Sequence, residues 1–194
     1  MDIELIKRMM DACYQGKRIR DMLPPLPDGV ASSYIQYLDI IEKLEKQGIL
    51  VVMTREGEND LSDPGAVNAK VQDLQRRVQL IHEKKPDCVI SIHQNSYPDA
   101  AVKGAQVFYY TTSGEGKAAA EILQNELLEI DPENKKREKA NNTYYILKKT
   151  EVPTVIVECG FLSNHKEAEK LSDEAYQGKI AEAVVKGIKS FFLK

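Results

Sequence analysis

Two apolar runs in this 194-residue chain end on a residue able to do chemistry: Cys88-Val89-Ile90-Ser91-Ile92 leads into His93, and Val155-Ile156-Val157 leads into Glu158. Both runs have the length and β-branched content of buried strands. Open α/β sheets collect ligands at the carboxyl ends of their strands, so a His and a Glu delivered there by two strands are candidates for one site. An imidazole at that point can hold zinc, and a carboxylate can either ligate the metal or act as a general base. The same residues also suit a plainer role, a hydrogen-bonded histidine at a strand end and a solvated or paired acid. On the residues alone both readings stand.

The elements that must position them follow from apolar spacing. Ile3, Leu5, Ile6, Met9, Met10 and Cys13 recur at helical steps from Asp2 to Met22, until Pro24-Pro25 and Pro27-Asp28-Gly29 end the pattern. Ser32-Ser33 can cap a second helix carrying Ile35, Leu38, Ile41 and Leu44, which Gly48 stops. From Ile49 the texture changes. Strand-like runs at Ile49–Met53, Cys88–Ile92, Gln106–Tyr110 and Val152–Val157 alternate with helical patterns at Val71–Ile81, Gly116–Ile130 and Ala175–Phe192. That alternation predicts an α/β fold, with Gly57–Gly65 and Asp131–Asn142 as loops.

Composition narrows the classes. Apolar residues make up 42% and charged residues 29%, and 27 Lys+Arg against 30 Asp+Glu leave a formal charge of -3. This describes one globular domain, or one domain and a small appendage, and an acidic balance argues against nucleic acid as a partner. No apolar run approaches the roughly 18 to 20 residues of a membrane span, and Met1–Gln15 carries charges where a signal peptide would be apolar, so neither a span nor an export signal is expected. Cys13, Cys88 and Cys159 show no C-x-x-C spacing, which speaks against a disulfide scaffold or a zinc ribbon. Cys88 and Cys159, inside apolar runs, read as small buried hydrophobes.

The words around the two site residues carry a resemblance. KPDCVISIHQNSYPDAAVKGAQVFYY over Lys85–Tyr110 and NTYYILKKTEVPTVIVECGFLSN over Asn142–Asn164 resemble the zinc-dependent N-acetylmuramoyl-L-alanine amidases of bacterial cell walls, most nearly the spore-germination type known as CwlD. The resemblance extends through VVMTREGENDLS upstream and EAYQGKIAEAVVKGIKSFF downstream, covering Ile49 to the C-terminus. It implies a three-layer α/β fold with a mixed, mainly parallel sheet flanked by helices. It implies His93 as a zinc ligand, Glu158 as the catalytic acid/base, and cleavage between the lactyl group of N-acetylmuramic acid and L-Ala. Asn95, Lys103 and Arg137 would border the substrate groove, although exposed polar residues are common in any case. His82 and His165 fall outside the family's ligand positions and read as surface residues.

Residues 1–48 differ from that pattern. The family places two more zinc ligands there, a His in an Asp-Pro-Gly-His-Gly-Gly motif closing the first strand and a Glu opening the next helix, yet residues 1–48 contain no His and no strand-like run. Asp28 is the nearest acid to the position of that Glu and is the candidate substitute ligand, although Pro-Asp-Gly also reads as a turn. The words ACYQGKRIRDMLPPLPDGVASSYIQYLDIIEKLEKQG are similar to the N-terminal dimerisation helices of MarR-type regulators. This implies a helical segment, 1–48, standing in place of the family's first strand before an amidase-like domain, 49–194, and a homodimer formed through those helices. No recognition helix or wing follows Gly48, so DNA binding is not implied. A zinc site short of ligands predicts weak or absent hydrolysis, and the competing expectation is an inactive amidase-like module that holds muramyl peptides or a protein partner. The family acts outside the cytoplasmic membrane, whereas the lack of an export signal suits the cytoplasm, and both locations remain open at this point.

Overall fold

The computed structural model describes residues 40–54 and 60–193. The first predicted helix, most of the second, the regulator-like pairing and Asp28 lie outside the described residues. The chain divides into two compact units, Met1–Val51 and Val52–Lys194.

In the first unit a helix over residues 40–45 buries Ile40, Ile41 and Leu44. It stops at Gly48 as its sequence predicts. The Ile49 amide donates to the Leu44 carbonyl and the Gly48 amide to that of Glu45, closing the helix with Gly48 at φ +79. Ile49–Met53 was expected to be a strand, and the structure corrects this. The run pairs with no strand among the described residues, and Leu50 and Val52 are 73% and 46% exposed. A short apolar run marks burial or extension, and only a neighbouring strand edge makes it a strand.

The second unit follows the predicted alternation. Its elements are α1 (Ala69–Lys84), β1 (Val89–Asn95), β2 (Gln106–Tyr110), α2 (Gly114–Ile130), β3 (Lys139–Asn141), α3 (Tyr145–Lys149), β4 (Thr154–Phe161), α4 (His165–Ser172) and α5 (Glu174–Phe192). The strands form one mixed sheet in the order β1-β4-β2-β3, with β1 parallel to β4, β2 antiparallel to β4, and β3 parallel to β2. β3 falls inside the predicted loop Asp131–Asn142. Lys-Ala-Asn has little strand character of its own, and its pairing with Phe108–Tyr110 makes the strand.

Alternate residues of β2 and β4 face opposite layers. Phe108 and Ile156 join Val78 and Ile81 of α1 and Ile146 and Leu147 of α3 in one apolar cluster. Helices α2 and α5 cover the other face, and where they cross a Cβ on Gly187 would lie 2.6 Å from Leu123 Cδ2, so the close approach requires glycine. On the first face, the buried Asp73 carboxylate accepts from Arg77 Nε and Nη2 at 2.8 and 2.9 Å and from the Leu61 amide at 2.9 Å, tying the segment before α1 to that helix.

A second buried carboxylate fixes the loops at the sheet's end. Asn164 caps α4 and Glu167 stands three residues later, the spacing of a capping box. Glu167 turns away from that role. Its Oε1 accepts from the Gly104 amide and its Oε2 from the Phe161 amide, both at 2.8 Å. Gly104, at φ +95, leaves room for the Asn134 side chain, whose Nδ2 donates to the Ala105 carbonyl at 2.8 Å; a Cβ there would strike it. The entrance to β2 and the exit of β4 are thus held by one side chain.

Candidate active site

β4 is buried along its whole length, so it is the central strand, and Glu158 on it is only 7% exposed. Its register partner on β1 is His93 and on β2 is Gln106. Residues directly opposite one another share a face of the sheet, so His93, Glu158 and Gln106 stand in a row. Gln106 Nε2 donates to the Arg137 carbonyl at 2.7 Å, which carries the row to the segment entering β3. The two strands therefore bring His93 and Glu158 side by side, each inside its strand, two and three residues before the carboxyl end.

Glu158 does not take the plainer role of a solvated or paired acid. Among the described residues its Oε2 is buried without a hydrogen-bond partner, and burial pushes the carboxyl from 4.5 up to about 7. Leaving a buried polar atom unpaired costs stability, so packing alone gives no reason for an acid in the central strand. A carboxyl that titrates near neutrality can both take and return a proton. Tyr144 stands on the same face, its ring edge-on to Phe108 with centroids 5.5 Å apart. Burial, and secondarily the charge of Glu158, raise its phenol, which therefore stays protonated. His93 is exposed, and its Nε2 lies 2.9 Å from Ser91 Oγ.

The raised carboxyl has a sign to test. The folded chain holds the Glu158 proton more tightly than the unfolded chain, so its contribution to stability is complete below about pH 4.5 and is lost as pH rises through about 7. For the metal-free protein we expect urea unfolding to show a decline over that interval that Glu158→Gln removes. The magnitude, after allowance for solvent screening, is on the order of 1 to 2 kcal/mol.

The other sequence candidates fall around this row. Asn95 ends β1, and its Oδ1 accepts from the Ser96 amide at 2.8 Å, turning the side chain onto the strand exit. Lys103, exposed, precedes Gly104 at the entrance to β2, and Arg137, exposed, meets Gln106 through its backbone carbonyl. Exposed His82 donates through Nε2 to the Lys149 carbonyl at 3.0 Å, and exposed His165 pairs with Glu169, both away from the row. Burial pushes the thiols of Cys88 and Cys159 up to about 12, which leaves neither as a nucleophile near neutrality.

A catalytic zinc takes three protein ligands as a rule. Among the described residues no group of three His, Cys, Asp or Glu side chains stands close enough to hold a metal ion. His93 and Glu158 alone do not make such a site.

Gln106, Tyr144 and Glu167 were not singled out by sequence. For Glu167 the Asn-x-x-Glu spacing was a readable signal of a helix start, but its two backbone partners are 63 and 6 residues away in the chain.

The family model for N-acetylmuramoyl-L-alanine amidase matches residues 35–190. The chain belongs to the N-acetylmuramoyl-L-alanine amidase family. The match begins within the segment that resembled a regulator, and the similar proteins support neither that resemblance nor a dimer formed through it. A germination-specific N-acetylmuramoyl-L-alanine amidase of Bacillus subtilis is 37% identical over 152 residues, 77% of this chain and 64% of that protein. The chain thus spans less than two thirds of that relative's length, and 28% of the amidase LytC of the same organism, to which it is 28% identical. Among solved structures, the CwlD amidase from Clostridioides difficile, determined in complex with the GerS lipoprotein, superposes with a TM-score of 0.79 at 33% identity, covering 82% of this chain and 84% of that one. The amidase AmiC2 of Nostoc punctiforme gives 0.70 at 26% identity, covering 83% and 82%. The mixed sheet flanked by helices is the fold that the sequence resemblance implied.

Proposed function

We propose that this chain is a peptidoglycan hydrolase of the amidase family, cutting the amide between the lactyl group of N-acetylmuramic acid and L-Ala, at the cell wall and in the setting of spore germination. The buried Glu158 carboxyl beside His93, its Oε2 without a hydrogen-bond partner among the described residues, carries this reading. Glu158 takes a proton from the attacking water as the water oxygen bonds to the carbonyl carbon. It then gives that proton to the nitrogen of L-Ala as the C–N bond breaks, leaving a free carboxyl and a free amine. Asn95, Lys103 and Arg137 border the groove. The test is release of free L-Ala amino termini from purified peptidoglycan; no release above a blank would overturn the reading.

Zinc is part of this proposal only through His93, the one imidazole at the site. Asp28 remains the proposed substitute ligand. With the described ligands alone we expect calorimetric titration to show zinc binding no tighter than micromolar, lost in His93→Ala. Sub-micromolar binding that depends on His93 would place further ligands among residues 1–39 and 55–59.

The short ligand set favours a second reading, a module that holds muramyl peptides, or a protein partner, without cutting. Ligand affinity that survives both chelation and Glu158→Gln, with no amine release, would establish it. No helix among the described residues is long and apolar enough to cross a membrane.

A further inference from the structure

The chain leaves β1 and β4 through two loops that are tied together. The Leu162 amide donates to the Asn95 carbonyl at 2.8 Å, the Tyr97 amide to Ser163 Oγ at 3.0 Å, and Asn164 Nδ2 to the Ala100 carbonyl at 2.8 Å. These loops begin three and four residues beyond His93 and Glu158. Each presents one large apolar side chain to solvent, Tyr97 at 54% and Leu162 at 50% exposure. A single exposed apolar residue is ordinary. Two on loops stitched to each other at the open end of the candidate site are a preorganised surface, since the hydrogen bonds fix the backbone beneath them.

The opposite side of the row differs in kind. There the chain entering β2 and β3 presents Lys103 and Arg137, both exposed cations. A muramyl peptide is likewise two-sided about its scissile amide, with a pyranose whose axial C–H groups form an apolar patch on one side and a peptide ending in a carboxylate on the other. We propose that Tyr97, flanked by Leu162, is the platform for the N-acetylmuramoyl ring, which orients the substrate with its peptide toward Lys103 and Arg137. This rests on the amidase reading above. An aromatic face offers the C–H patch a large rigid apolar area, while its hydroxyl stays in water.

The test uses the full chain carrying Glu158→Gln, so that ligand is held and not cut, with two probes: N-acetylmuramoyl-L-alanyl-D-isoglutamine, and the L-alanyl-D-isoglutamine dipeptide without sugar. Adding Tyr97→Ala is expected to weaken the sugar-bearing probe about tenfold and leave the dipeptide within twofold, with Tyr97→Phe close to the parent. In the parent, the sugar's ring protons should shift upfield in the NMR spectrum of the complex, and Tyr97→Ala should abolish the shift. Tyr97 is half-exposed and its tie to Ser163 is through the backbone, so melting should not change. An unaltered affinity in Tyr97→Ala, or equal weakening of both probes, overturns the platform alone. A parent that binds neither probe overturns the functional reading and the platform with it.

Discussion

Glu158→Gln is expected to lower amine release from peptidoglycan by about 10²- to 10⁴-fold, the range in which a positioned general acid/base contributes. The amide is nearly isosteric with the carboxyl, so substrate contacts and KM should change little and the loss should fall on kcat. Gln cannot take a proton from water, and the Tyr144 phenol on that face, held protonated chiefly by burial, does not replace it. The rate of the parent should rise with pH through about 7 as Glu158 ionises, and residual activity in the variant should lack that limb. A variant with the parent's rate would show that Glu158 is not the proton carrier, and attention would pass to water activation by another group.

The second large effect is one of stability. Glu167→Ala removes the carboxylate that accepts from the buried Gly104 and Phe161 amides, and each orphaned amide costs about 1 to 3 kcal/mol. A total near 3 to 4 kcal/mol is a large fraction of the 5 to 15 kcal/mol typical of a domain, and it should appear as a fall in the urea midpoint at constant slope. Glu167→Gln keeps one acceptor and should lose about half as much. Phe161 lies three residues after Glu158, and Gly104 two before its partner Gln106, so any folded Glu167→Ala protein should also show a lower kcat. A wild-type unfolding curve would mean that other bonds hold these loops.

Gln106–Tyr110 shows how much was legible locally, since a short run with one β-branched and three aromatic side chains matched the strand's bounds. The helices Ala69–Lys84, Gly114–Ile130 and Glu174–Phe192 were legible for the same reason, because an apolar stripe repeats at a period the backbone imposes. Ile49–Met53 and Lys139–Asn141 were misread in opposite directions. The first has the residues of a strand without a described partner, and the second has a partner without the residues. Pairing is a property of two segments, and one segment's composition does not report it.

The same division runs through the site. His93 and Glu158 were legible because each closes an apolar run, and the words around them carried the family. The sequence by itself determined those residue types, the order of most elements and the family. Only the tertiary structure decided that β4 is central, so that Glu158 loses water and its carboxyl rises to about 7. It also decided that Gln106 stands opposite Glu158 and that Glu167 clamps two loops. Burial and register arise from contacts between segments far apart in the chain, and the pattern within each segment does not contain them.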